Sequence, residues 1–351
     1  MSDLKIICTL GPKSSCFDVL QDMIQATMDM VRINTAHGEV YEHLSRLALL
    51  GRVEKKLGKV IKRLLDLKGI DLRLGAFEGA FPLERGDLIW LVPEGEACPE
   101  KNLFAFSHPH LLKEVSVGEC LRLDSGCLTT EVKSVDTDRV QIEVKNRWVL
   151  KEKKGVTLPS FSGTEGLELT VADLRALTVC SKERIDWIAL SFVNHPNQVR
   201  ELKSFLRREG QSHIKIMSKI ETETGLNRLQ AILSESDAVM FARGDLGAQL
   251  EIERLPRLQK EFFALACQNR LPAVLATQLL PSMCARPIPN RSEVTDVFNG
   301  VLDGASGLML SEESAVGDFP VETVTLMRKL IKESTSFALH HSLSLAKTVL
   351  D

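Results

Sequence analysis

No run of about 18 apolar residues occurs anywhere in the sequence, so none of it reads as a membrane-spanning helix. No long block of one charge sign occurs either. The 44 basic and 47 acidic residues are interspersed to a net charge of −3, which gives no reason to expect nucleic acid or an anionic membrane as a partner. The opening Met-Ser-Asp-Leu-Lys has no apolar h-region, so no signal peptide is expected. The eight cysteines include no Cys-x-x-Cys pair. They stand singly, several inside apolar runs such as Ile6–Leu10, as in a reduced cytoplasmic chain rather than a disulfide scaffold. There is no low-complexity segment. What remains is 351 residues, 44% hydrophobic, enough for one large core plus a smaller domain or for two mid-sized domains.

The patterning is more specific. Eight short apolar runs rich in β-branched residues recur: Lys5–Leu10, Met30–Asn34, Val60–Asp66, Asp186–Phe192, Ile214–Glu221, Ala238–Ala242, Pro272–Thr277 and Gly307–Ser311. Near-continuous hydrophobicity suits parallel strands covered on both faces. Helical stretches alternate with them, near Cys16–Ala26, Glu42–Lys56, Val171–Cys180, Pro196–Arg208, Thr224–Leu233, Ile252–Asn269, Glu293–Leu302 and Val321–Ser334. Eight such units predict an α/β fold, a closed (β/α)8 TIM barrel. The rhythm breaks once, after strand three. Runs at Leu88–Val92, Cys120–Leu123, Thr129–Val135 and Val140–Val144 alternate apolar with polar between turn signals such as Asp124-Ser125-Gly126. This reads as a small antiparallel β domain inserted over residues 76–157, between barrel parts 1–75 and 158–351. Loops after barrel strands sit on the catalytic face, so the insertion is expected to act as a lid, with a purely ornamental insertion as the alternative.

Catalytic groups of such barrels lie at the C-terminal strand ends. Strand five ends Ser218-Lys219-Ile220-Glu221, whose alternation sends Lys219 and Glu221 to one side. Lys-x-Glu alone also fits a structural ion pair. Strand six runs into Ala242-Arg243-Gly244-Asp245-Leu246-Gly247. Glu221 and Asp245 with substrate oxygens suit Mg²⁺, and a short helix after Gly247 would aim its N-terminus at an anion. An ordinary turn is the other reading. Thr277 and Ser311 end strands seven and eight, where capping and function are equally open. Arg32 and Asn34 share a face of strand two, and strand three ends Asp66-Leu67-Lys68-Gly69, followed by Asp71 and Arg73. Such a mouth fits a small phosphorylated or carboxylated substrate without naming it.

Nine segments in order resemble those of the pyruvate kinase family: Lys5–Pro12 (KIICTLGP), Val31–Gly38 (VRINTAHG), Leu65–Arg73 (LDLKGIDLR), Lys153–Pro159 (KKGVTLP), Ala189–Val193 (ALSFV), Ser218–Glu221 (SKIE), Ala242–Gly247 (ARGDLG), Ala276–Met283 (ATQLLPSM) and Val301–Pro320 (VLDGASGLMLSEESAVGDFP). The resemblance implies phosphoryl transfer from phosphoenolpyruvate to ADP, giving pyruvate and ATP. It implies Lys219, Arg32 and Thr277 as catalytic residues. It further implies Arg243, Gly244, Asp245, Ser311 and Glu313 around the substrate, and Arg73, His37 and Lys154 around the nucleotide. Glu221 and Asp245 match the Mg²⁺ or Mn²⁺ ligands, and Asn34, Asp66 and the Leu67 carbonyl match those of K⁺. Pro287–Asn299, with Arg291, resembles the segment that pairs barrels in the family, so a homo-oligomer is expected.

The sequence departs from the family's pattern at Ala36, where a hydroxyl is usual, at Leu67 and Asp71 of the strand-three motif, and at Glu312. The expectation for K⁺ is therefore stimulation with weak binding. The family's C-terminal regulatory domain, with its sugar-phosphate effector site, is expected to be absent. Two other functions fit the same residues. One is a catalytically impaired binding protein, and the other is a Mg²⁺-dependent lyase or aldolase acting on a pyruvate enolate.

Overall fold

The computed structural model describes residues 4–159, 163, 165–341 and 350. Eight parallel strands close into a barrel in sequence order: Lys5–Thr9, Met30–Asn34, Lys62–Asp66, Trp187–Leu190, Lys215–Ile220, Ala238–Ala242, Ala273–Ala276 and Gly307–Leu310. The eighth pairs with the first, Lys5 opposite Gly307. These are the eight runs read from the sequence, each trimmed by at most two residues per end. The strands are buried almost throughout, as a sheet covered on both faces requires.

By contact density the chain forms two compact units. The barrel unit comprises Met1–Gly69, Thr164–Arg243 and Pro256–Asp351; the second comprises Ile70–Gly163 and Gly244–Leu255. Residues 76–157 fall within the second unit, which also takes in a stretch following barrel strand six. Within this unit Arg122 pairs with Glu251 at 3.6 Å, and Gly126 lies against Ala248, where an added Cβ would sit 3.6 Å from the Ala248 Cα.

Helix boundaries deviate from the periodicity in several places, three of them instructive. The fifth helical stretch is two short helices, Glu223–Asn227 and Leu229–Leu233, divided at Arg228, whose φ of −104° and ψ of 13° leave helical geometry. The helix after strand six spans Arg243–Gln249, so it begins directly at the strand end and not after Gly247 as expected. The final helix runs Pro320–His340, beyond the expected stop near Ser334. Ser334 is fully buried and returns its hydroxyl to the Leu330 carbonyl at 2.7 Å, and the apolar face continues to Ala338, so the serine does not end the helix. The expected tail beyond it lies largely outside the described residues.

The second unit has a six-stranded sheet and a separate two-stranded one. Its pairings are antiparallel except one: Leu88–Val92 runs parallel to Leu103–Ala105, a short strand that periodicity did not reveal. Leu91, Phe104, Leu121, Val132 and Ile142 fill its core.

In the barrel, an interior layer is formed by Ile7, Met30, Leu64, Trp187, Ala189, Met217, Met240, Val274 and Met309. Side chains two residues further along a strand share its face. The next layer toward the C-terminal ends therefore holds Thr9, Arg32, Asp66, Ser191 and Lys219. The apolar layer is the floor on which these polar groups stand.

The loops above strands one and eight meet at Gly11. A Cβ there would lie 2.5 Å from the Ala315 carbonyl oxygen, a backbone atom that also accepts from Lys13 N. Gly11→Ala is expected to lower stability by about 1–3 kcal/mol through overpacking. A thermal melt equal to that of the wild type would show that the two loops separate freely.

Candidate active site

The polar layer is a chain of alternating charges. Arg32 Nε donates to Asp66 Oδ2 at 2.5 Å, and the other Asp66 oxygen pairs with Lys219 Nζ at 3.1 Å. Lys219 Nζ pairs with Glu221 Oε1, also at 3.1 Å, and donates to Ser191 Oγ at 2.8 Å. Arg32 further donates to Thr9 Oγ1 at 3.0 Å, and that hydroxyl donates to the Leu310 carbonyl. All four charged side chains are at least nine-tenths buried as residues: Arg32 and Lys219 are 8% exposed, Glu221 2% and Asp66 1%. Burial alone would push the Asp66 carboxyl up. Arg32, and after it Lys219, outweigh that and hold it below its ordinary value.

Two cations and two carboxylates thus neutralise one another in a largely buried layer. Two unpaired cations there would be prohibitive. A layer of this kind can accept an oxyanion by exchanging carboxylate contacts for substrate oxygens. Its fixed cations suit a group with charge spread over several oxygens.

Glu221 is held from its other side as well, since Phe192 N donates to its Oε2 at 2.8 Å. Glu221 thus brings hard oxygens, the donor type that Mg²⁺ and Mn²⁺ prefer. Among the described residues no three His, Cys, Asp or Glu side chains gather as a self-contained cage. Asp245 lies in the Arg243–Gln249 helix and counts with the second unit, as does Gly244.

The oxygens that the resemblance assigned to K⁺ are already engaged. Asn34 Oδ1 accepts from Ala36 N at 3.2 Å, both Asp66 oxygens face cations, and the Leu67 carbonyl accepts from Ser191 Oγ at 2.6 Å. Ala36 brings no hydroxyl, and the Thr35 hydroxyl beside it donates to the Asp66 carbonyl.

Thr277 directly follows strand seven with φ at +68°, and Gln278 comes next at +54°. A β-branched residue in that region is a genuine outlier. The side chain of Arg243 braces the pair, donating from Nη2 to the carbonyls of Thr277 and Gln278 at 2.7 and 3.2 Å. Its Nη1 is anchored on both carboxylate oxygens of Asp296. Glu313, 2% exposed, accepts from Ser311 N and Leu280 N. The buried Ser311 hydroxyl has no hydrogen-bond partner among the described residues.

In the second unit, Arg73 pairs with Asp71 and donates to the Lys153 carbonyl at 3.0 Å, and Lys154 pairs with Asp124 at 3.0 Å. Arg73 bridges Gly155, so these two nucleotide candidates are neighbours. His37 belongs to the barrel unit, in the loop after strand two.

Sequence reading did not single out Ser191, Phe192 or Thr9. Counting every second residue upward from Ala189 and Ile7 would have found Ser191 and Thr9. The left-handed turn at Phe192 has no sequence signal.

The family model described as pyruvate kinase, barrel domain matches residues 1–324. The pyruvate kinase of Bacillus licheniformis is 37% identical over 346 residues, covering 97% of this chain and 58% of the relative. Those of Staphylococcus aureus (strain MRSA252) and Staphylococcus saprophyticus are each 36% identical over 94% of this chain and 56% of the relative. The chain thus spans little more than half the length of these curated relatives.

Removing the Asp66 charge leaves Arg32 and Lys219 short of a counter-ion, and breaking a buried pair in this way costs about 3–5 kcal/mol. Asp66→Asn is expected to lose that amount at pH 7 in urea unfolding. Because folding lowers the Asp66 pKa, its contribution is complete above the unfolded value of ~3.9 and is lost as pH falls through the lower folded value. The gap between wild type and variant should therefore be constant from pH 7 to 5 and close below about pH 4. A variant as stable as the wild type at pH 7 would contradict the charge network.

Proposed function

The chain belongs to the pyruvate kinase family, and from that premise we propose that it transfers the phosphoryl group of phosphoenolpyruvate to ADP. The observation that carries this reading is the buried Lys219 ammonium, held between Asp66, Glu221 and Ser191 with Arg32 on the far side of Asp66.

Phosphoryl transfer asks for positioning and charge neutralisation more than for covalent help. Arg32 offers a planar donor fork to the moving phosphoryl oxygens. Lys219 meets the charge shared between phosphoryl group and enolate. Both are already desolvated and fixed, so little reorganisation accompanies the reaction. Thr277 is assigned to proton delivery at the enolate carbon, and Ser311 and Glu313 to the wall behind it. The backbone of Arg243, Gly244 and Asp245 is assigned to the substrate carboxylate. Arg73, Lys154 and His37 are assigned to the nucleotide.

Glu221 and Asp245 are assigned to the divalent cation. The cation, Mg²⁺ or Mn²⁺, supplies Lewis-acid neutralisation of phosphoryl oxygens when bound. Mg²⁺ keeps waters and substrate oxygens in its shell, so it asks for only one or two carboxylates from the protein. K⁺ is assigned a stimulating but weakly held place at Asn34, Asp66 and Leu67. It would approach a neutral charge cluster rather than a bare carboxylate, and it lacks one hydroxyl. The eight free thiols accord with a reducing, cytoplasmic setting, and among the described residues no helix is long and apolar enough to cross a membrane. Pairing of barrels through Pro287–Asn299, with Arg291 at the start of a helix, is part of the same reading.

A lactate-dehydrogenase-coupled assay with phosphoenolpyruvate, ADP and Mg²⁺ tests the proposal. Lys219→Met is expected to lower kcat by about 10²–10³-fold or more, the worth of a preorganised charge-stabilising group, while calorimetric binding of phosphoenolpyruvate persists. Chelator-treated wild type should be inactive until Mg²⁺ or Mn²⁺ is restored. Near-normal turnover in the variant, or full activity without divalent metal, would refute the assignment.

A further inference from the structure

The turn after barrel strand four grips the reacting pair three times in three residues. Ser191 Oγ accepts from Lys219 Nζ at 2.8 Å, Phe192 N donates to Glu221 Oε2 at 2.8 Å, and Val193 N donates to the Lys219 carbonyl at 3.2 Å. Ser191 also donates to the Leu67 carbonyl at 2.6 Å. A hydroxyl has one proton, and here it is committed to Leu67, so toward Lys219 the oxygen acts only as an acceptor. Ser191 is 7% exposed, so both contacts are largely shielded from solvent.

The backbone is strained to make this possible. Phe192 has φ at +53°, a region that bulky residues avoid at a cost of about 1–3 kcal/mol. Neighbours fix the turn. Gly69, at φ +66°, leaves only 3.0 Å between its absent Cβ and Ser191 Cβ and 3.3 Å to the Phe192 ring, and Gly225 would clash with the Val193 carbonyl at 2.6 Å if it carried a Cβ. No sequence rule for barrels demands a left-handed phenylalanine here. The conformation aims the Phe192 N–H at Glu221 while Ser191 faces Lys219.

We propose that Ser191-Phe192-Val193 is a positioning clamp that sets the Lys219 ammonium against the Glu221 carboxylate, with the Ser191 hydroxyl as its specific element. Ser191 is a positioning residue and carries no chemistry of its own. The kinetic part of the proposal rests on the phosphoryl-transfer reading; the clamp itself does not.

The test uses Ser191→Ala, which removes the hydroxyl and keeps the Cβ, and Ser191→Thr, which restores it. Two readouts are taken on the whole chain. The first is the rate at which trinitrobenzenesulfonate labels Lys219, followed by peptide mass spectrometry, which requires no activity. The second is the split between kcat and KM for phosphoenolpyruvate. In Ser191→Ala, Lys219 labelling should rise several-fold. Its kcat should fall about ten- to a hundredfold, the worth of one hydrogen bond to a charged group, with KM little changed. Ser191→Thr should return both toward wild type, and thermal melts should show all three proteins folded. Unchanged labelling in Ser191→Ala overturns the clamp whether or not the protein turns over. Faster labelling with unchanged kcat overturns its positioning role. An inactive wild type refutes the phosphoryl-transfer reading alone, and the labelling result still decides the clamp.

Discussion

The ion pair between Arg32 and Asp66 is the contact on which the arrangement of the barrel mouth depends. Strands two and three are in register there, with Asn34 opposite Asp66 and Arg32 opposite Leu64. The pair ties two strand ends at side-chain level as well as through the backbone. Because Asp66 is 1% exposed, its charge depends on the two cations beside it, Arg32 depends on Asp66, and Lys219 shares Asp66 with Glu221. This mutual dependence makes the cluster a poor stabiliser in absolute terms and a strong determinant of geometry. An apolar replacement of all four charges could pack as well but would present nothing to an anionic substrate. The retained charges therefore point to chemistry rather than to stability.

The layering explains why so much was legible in the sequence. Parallel strands covered on both faces produce runs dense enough to locate all eight. The period of two then places Arg32 above Met30, Asp66 above Leu64 and Lys219 above Met217, without any knowledge of three-dimensional contacts. Long-range outcomes were illegible. Nothing local told that residues 244–255 belong with the second unit, because their packing partners, Arg122 and Gly126, are more than a hundred residues away. The parallel pairing of Leu103–Ala105 escaped notice because three residues carry too little alternation to register. Ser334 misled because a serine whose hydroxyl returns to the Leu330 carbonyl continues a helix as readily as it caps one.

Motif reading and geometry also divide the work of Arg243 differently. The resemblance gave the backbone around Arg243 to the substrate carboxylate and was silent on its side chain. That side chain is 8% exposed and makes four hydrogen bonds, two to Asp296 and two to the carbonyls of a left-handed turn. A planar guanidinium can serve a carboxylate on one edge and carbonyls on another, which a lysine ammonium on a flexible stem does less well. The arginine therefore has a structural reason to be there independent of any ligand.

The distribution of left-handed residues supports a division between the two ends of the barrel. In the barrel unit, five residues other than glycine have positive φ: Thr27, Phe192, Arg270, Thr277 and Gln278, among the described residues. Thr27 and Arg270 follow the helices Phe17–Gln25 and Leu255–Gln268 and lead back toward strands, a place where one left-handed residue commonly ends a helix. They need no functional account. Phe192, Thr277 and Gln278 instead follow strands four and seven, where a chain leaving a barrel has no general need to turn left. Each of these turns is held by side chains reaching from elsewhere, Glu221 in one case and Arg243 in the other. Strain that is held at both sites by buried charge, and that is confined to the strand ends bearing Lys219's partners and Thr277, marks the end of the barrel where atomic positions matter most.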